Sequence, residues 1–224
     1  MMRSPFLQRF PDLPDVLPIF PLSGAVVMPG VQLPLNIFEP RYLAMVQAAL
    51  ASDHLLGMVQ PRAPTADAQA ADDPLDIHQV GCAGRITSYS ETNDGRIVLV
   101  LTGLCRFKVL EELPMQEDFR RVRPEWHGFA LDLEDEEASL SERERFMGSL
   151  RTFCEQRSVE IPWDDIGKMA DADLINLLCA HLPLEAEDKQ ALIETVQLGE
   201  RASLMRGLME MSAHAARLGT EQRH

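Results

Sequence analysis

The 224-residue chain carries 35 acidic against 21 basic side chains, a formal net charge of −14, and 46% hydrophobic residues. That length sustains a sizeable core without staples, burying roughly 70–75% of the surface of the extended chain. The acidic field disfavours phosphate backbones, no 18 apolar residues run together to span a membrane, and Cys82, Cys105, Cys154 and Cys179 form no CxxC pair or zinc-ligand spacing.

The amino terminus, MMRSPFLQRFPDLPD, lacks an apolar run of signal-peptide length, so a cytoplasmic, unsecreted protein is expected. Val16 to Leu22 and Val31 to Ile37 read as short strands, kept by Pro18, Pro21 and Pro34 to edge, bulged or strand-end positions. Between them Met28-Pro29-Gly30 is a turn, since proline presets its φ and glycine accepts a positive one. Glu39-Pro40 opens a helix with Leu43, Val46 and Leu50 on one face. Leu55 to Gln60 has strand length. Residues 61–76, rich in Ala, Pro and Asp, read as a loop.

From Ile77 the pattern is β. GRITSYSE and RIVLVLTG flank Thr92-Asn93-Asp94-Gly95, a hairpin signal. Ile97 to Leu101 is apolar on both alternating faces, as in a strand covered on each side. CRFKVLEEL alternates Arg106 and Lys108 with Phe107 and Val109, predicting a half-exposed strand after a turn at Gly103. Phe119 to Trp126 is the last strand, and its Arg120, Arg121 and Arg123 are expected to be solvated or paired with acids such as Glu117 and Asp118.

Residues 127–140 form an acidic linker, dividing the chain into a β-rich part, 1–130, of net charge −4 and a helical part, 131–224, of net charge −10. Ser139 or Ser141 is placed to cap a helix presenting Phe146, Leu150 and Phe153. Asp171 or Asp173 is placed to cap the next, with Leu174, Leu177, Leu178 and Leu182 at helical spacing before Pro183. A third helix runs from about Glu185 to Leu198, with Leu192, Ile193 and Val196 inward. After Gly199, Leu204, Leu208, Met211, Ala215 and Leu218 make a heptad-like stripe that either packs on the chain's own helices or joins two copies as a homodimer.

The opening LPIFPLSGAVVMPGVQLPLNIFEPRY resembles the start of the N-terminal substrate-binding domain of the ATP-dependent protease Lon, a domain also found free-standing in bacteria and inside cereblon. The likeness continues through GRITSYSETNDGRIVLVLTGLCRFKVLEE, and NLLCAHLPLEAEDKQALIE resembles the helical tail of the free-standing form. The resemblance implies an α+β fold: a PUA-like β-rich pseudo-barrel with one early helix, followed by a helical bundle, used to hold protein partners.

Motifs for chemistry are missing. Gly167-Lys168 lacks the upstream glycine of a P-loop, the three lysines lie in no segment resembling a Lon peptidase centre, and no GxSxG or HExxH occurs. Cys105 with His127 is a conceivable thiol and base, but the strand pattern around Cys105 reads as structural, and His181 reads as a core or boundary histidine on a Leu-rich helix. The expectation is therefore a non-enzymatic binder of unfolded or degradation-prone polypeptides, or of proteolytic machinery, using no metal or cofactor. Met28, Val31, Phe38, Arg41 and Tyr42 are the candidate contact surface, because prolines there leave strand edges incompletely paired. The alternatives are an RNA-binding PUA-like module with a basic groove along Arg85, Arg106 and Arg121, and a hydrolase whose site assembles only in the fold.

Overall fold

The structure is a computed structural model that describes residues 13–62, 76–134 and 139–221, with side chains to residue 212. The loop read over 61–76 lies almost wholly outside the described residues, as do the middle of the acidic linker and the side chains of Ala215 and Leu218.

Six strands form one mixed sheet: β1 (Leu17–Pro21), β2 (Gln32–Ile37), β3 (Leu55–Val59), β4 (Val80–Glu91), β5 (Ile97–Gln116) and β6 (Phe119–Glu125). Their order is β2-β5-β4-β3-β1-β6, and a further β5–β6 pairing closes five of them into a ring that leaves β2 hanging on the first half of β5. Strand β1 pairs in parallel with β3 from Ile19 and antiparallel with β6 from Leu17. Pro18 precedes the β1–β3 ladder and Pro21 ends it, while on the other side Pro18 lies within the β1–β6 ladder, opposite Arg121.

The expected turn at Gly103 is instead the middle of a continuous 20-residue strand, β5. Glycine is required there because the Met28–Gly30 turn lies directly on it: a Cβ would stand 2.0 Å from the Met28 carbonyl oxygen. Gly30 N–H donates to Gly103 O at 2.9 Å and Gly103 N–H to Val31 O at 2.8 Å, stitching the turn to the strand.

Two apolar clusters result. One fills the ring with Leu17, Ile19, Leu55, Val59, Ala83, Cys105, Phe107 and Val122. The other joins the outer face of the strands, including Leu56, Met58 and Leu99, to helix α1 (Pro40–Leu50) and to the carboxyl-terminal helices. Helix α1 starts at Pro40 as expected and buries Met45, Val46 and Ala49, while Leu43 and Leu50 are half-buried at its margins.

The carboxyl-terminal helices are α2 (Arg143–Arg157), α3 (Trp163–Ile166), α4 (Asp171–His181), α5 (Ala186–Glu194) and α6 (Leu198–Glu221). The expected caps differ. Neither α2 nor α4 has a side-chain cap, their cap positions being Glu142 and Ala170. Asp171 instead accepts from Leu140 N–H at 2.6 Å and pairs with Arg143, tying the start of α2 to that of α4. Val196 lies beyond the end of α5, and the short α3 was not anticipated. On α6 the buried residues are Ala202, Met205, Leu208 and Met209 together with the polar Arg201, whereas Met211 of the expected stripe is 64% exposed. The helix therefore packs a face rotated from that stripe, mainly against α2.

Arg106 departs most from expectation. It is not on an exposed strand face but 1% accessible, between the ring and the helices. A 3₁₀ segment, His127–Leu133, occupies the start of the acidic linker and brings Asp132 onto it. Arg106 Nε donates to Asp132 Oδ2 at 2.9 Å and Nη2 to Oδ1 at 2.7 Å, while Nη1 donates to Ile193 O at 3.2 Å and Thr195 O at 2.8 Å. Its guanidinium also lies 4.8 Å from the Phe129 ring. One cation thus fastens a strand, the linker and the end of α5 together, a use for which planar, multidentate arginine is suited.

Candidate functional site

The five candidate contact residues do not form one surface. Met28 is 0% and Val31 5% exposed, because the turn between them is pinned to β5 and directs both side chains into the core. Phe38, Arg41 and Tyr42 remain near the surface, where β2 hands over to α1. Arg41 pairs with Glu39 at 2.9 Å and lies 4.6 Å over the Tyr42 ring, which packs against Phe20 at 4.3 Å. Burial raises the Tyr42 phenol above its ordinary range, with Arg41 opposing. Phe38 is 60% exposed, 5.8 Å from the Arg96 guanidinium.

The ribbon made by β2 and the β4–β5 hairpin supplies further exposed apolar side chains. Ile37 pairs with Ile97 and Asn36 with Val98, so Phe38 continues the same outer row as Val98, which is 44% exposed. Tyr89, opposite Leu99, is 54% exposed near the end of the hairpin. The expectation that Ile97 to Leu101 is covered on both faces holds only for Ile97, Leu99 and Leu101. On its other face Val98 is exposed and Val100 half-buried, with Asn36 and Ser90 opposite Val98. An apolar run without alternation was the available signal, and covering both faces was the wrong inference from it.

The outer edge of β2 is poorly suited to adding another strand. Because Val31 turns its carbonyl toward β5, the odd residues of β2 face β5 and Pro34 turns its donorless nitrogen to the open edge.

The other candidate sites dissolve on inspection. Cys105 is fully buried, its Sγ facing Arg106 O at 3.2 Å and Phe129 O at 3.6 Å, and burial pushes its thiol up to about 12. His127 lies at the surface, its Nδ1 3.5 Å from Glu125. His181 is exposed in the last turn of α4, not a core residue. With Arg106 buried, no basic groove joins it to Arg85 and Arg121. Arg120 pairs with Glu112 at 2.6 Å and Arg123 with Glu111 at 3.3 Å, and Arg121 donates to Gln116 and Pro114; these partners lie across the β5–β6 hairpin instead of at Glu117 and Asp118. Among the described residues no three His, Cys, Asp or Glu side chains are grouped to hold a metal, and no helix is long and apolar enough to cross a membrane.

Known proteins share this architecture. A Lon N-terminal domain protein from Xanthomonas campestris superposes with a TM-score of 0.60 at 21% identity, over 85% of this chain and 96% of that one. The N-terminal domain of the Mycobacterium avium complex Lon protease gives 0.63 at 16% identity, over 87% and 98%. In sequence, the Lon proteases of Syntrophus aciditrophicus and Anaeromyxobacter dehalogenans are each 29% identical, over 84% and 98% of this chain. The chain spans 24% and 26% of the length of those two relatives. The model of the ATP-dependent protease La (LON) substrate-binding domain matches residues 16–211, and the chain belongs to that family.

Proposed function

We propose that this chain recognises polypeptides without transforming them, holding exposed apolar segments of unfolded or degradation-prone proteins, or a component of the proteolytic machinery, against the outer face of the β2–β5 ribbon. The observation that carries this reading is the exposed apolar row of Phe38 and Val98, built on a paired sheet and flanked by Arg96. A rigid sheet presents such side chains without ordering cost on binding, and the adjacent cation suits aromatic partners. The family description, a substrate-binding domain, agrees with this role. In this reading residues 1–130 carry the contact surface and 131–224 brace it, the work is done in the cytoplasm, and the four unpaired thiols suit a reducing compartment.

The test is capture of a reduced, carboxymethylated polypeptide that cannot refold, followed by fluorescence anisotropy. Phe38→Ala combined with Val98→Ser removes two side chains whose complete burial contributes about 1.5 kcal/mol or more each; since about half of each is already covered, roughly 1.5 kcal/mol is at stake and binding should weaken at least roughly tenfold. Circular dichroism should stay unchanged, since both residues are surface-exposed. Unaltered capture by that folded variant would overturn the assignment of the surface. Turnover of ATP or of a peptide, abolished by one point substitution, would overturn the non-enzymatic reading itself.

A further inference from the structure

A second feature lies at the seam between the ring and the helices. There a cleft of 350 Å³ is lined by Pro29 and Gly30 of the stitched turn, Asn176 of α4, and Leu198 and Arg201 of α6. Arg201 is 4% exposed, and no carboxylate stands within ion-pair distance of it among the described residues. The nearby carboxylate, Asp132, is taken bidentately by Arg106. Two buried guanidinium groups therefore share one buried carboxylate, and one positive charge is left over. An unpaired buried cation is costly unless something compensates it. Burial first, and the Arg106 charge second, depress the Arg201 pKa to about 10, the direction expected of a cation lacking an anionic partner.

The hydrogen bonding shows which buried donor lacks a partner. Nη1 of Arg201 donates to Thr195 O at 3.2 Å, which anchors that end of the guanidinium, while Nε meets no acceptor. The Nε edge of a guanidinium presents two parallel N–H donors, spaced to engage both oxygens of one carboxylate. Across the cleft, Asn176 is 7% exposed; its Nδ2 donates to Pro29 O at 3.1 Å, which leaves Oδ1 as a buried acceptor without a donor. The first turns of α4 and α6 also border the cleft. Glu134 and Asp173 stand at the mouth, but both are solvent-exposed.

We propose that this cleft receives the carboxyl-terminal residue of a polypeptide, its α-carboxylate on the Nε edge of Arg201 and its amide N–H on Asn176 Oδ1. A lone inorganic anion satisfies Arg201 but places negative charge beside the Asn176 oxygen, and a neutral amide leaves the excess charge standing. An acylated amino acid answers both orphaned groups at once. The inference deepens the polypeptide-binding reading by adding an end-specific contact to the apolar row.

The test uses the full-length ¹⁵N-labelled chain with N-acetyl-leucine, followed by backbone chemical shifts. Saturable shifts at Gly30, Ala172 and Leu198 are expected at millimolar probe. The methyl ester, which keeps the N–H but loses the carboxylate, should bind at least about tenfold more weakly, the loss expected for charge-assisted hydrogen bonds. This comparison needs no variant, and Arg201→Met in folded protein should abolish the shifts. Equal binding of acid and ester, or shifts absent from the cleft, would overturn the proposal. A second arm compares the carboxymethylated polypeptide with free and amidated carboxyl termini. Tighter binding of the free terminus supports the proposal. Equal binding of both overturns it while leaving polypeptide recognition intact, and binding of neither removes the broader reading as well.

Discussion

Replacing Arg106 by methionine tests the central fastening of the fold. Methionine fills a similar elongated volume but donates no hydrogen bond. The substitution takes both guanidinium donors from Asp132, whose side chain is 7% exposed and keeps the backbone N–H of residue 106, removes the Arg106 donor from the carbonyls of Ile193 and Val196, and leaves Thr195 O with Arg201 alone. Breaking a buried pair by deleting one partner costs about 3–5 kcal/mol, here through the charge-assisted hydrogen bonds that are lost. With about 4 kcal/mol lost, the urea midpoint should fall by roughly 1.3 M at a slope near 3 kcal/mol/M, and the melting temperature by about 8–16 °C. Two tryptophans report the effect separately. Trp126 packs 5.6 Å from Phe107 on the ring side, and Trp163 lies on α3 among the helices. Single-tryptophan proteins carrying Arg106→Met should show both transitions displaced. A shift below about 1 kcal/mol in Arg106→Met would refute the reasoning, since that is the range of an exposed pair.

Other outcomes follow from the same contacts. Gly103→Ala should cost several kcal/mol, roughly 3 or more, because its Cβ meets the Met28 backbone, whereas Gly95→Ala should cost about 1 kcal/mol for its positive φ alone, its surroundings being open; urea midpoints measure both. The four thiols are buried, and burial raises each pKa, that of Cys105 to about 12. Folded thiols stay protonated where unfolded ones ionise, so their stabilisation is full below the unfolded pKa and lost above it. Unfolding free energy should fall between pH 9 and 10, by up to about 1.4 kcal/mol per pH unit for each such thiol, and Cys105→Ala should reduce the slope. A flat profile would contradict their burial. A thiol reagent such as dithionitrobenzoate should label no cysteine in the native chain and all four in urea.

Local chemistry explains which elements were readable. Pro40 at the first helical position, Asp94-Gly95 between apolar runs and the proline-punctuated strands each encode their conformation within a few residues, and each stands where expected. Gly103 was misread because a glycine between two strand-like runs serves equally as a turn or as a point of close approach, and only the distant Met28 carbonyl decides between them. Arg106 was misread because period-two alternation places a charged residue on a face without saying what covers that face; here the cover comes from Asp132 and the end of α5. The candidate surface was half legible. Phe38 is exposed, but the inward rotation of Met28 depends on hydrogen bonds to a strand some 70 residues further along the chain.

Strand β1 lies between β3 and β6, with Leu17 opposite Val122. On a ribosome adding about 5–20 residues per second, its second neighbour is made roughly 5–20 s after it. Throughout that interval one edge of β1 has no partner strand, a template for pairing with other chains that only the arrival of β6 closes.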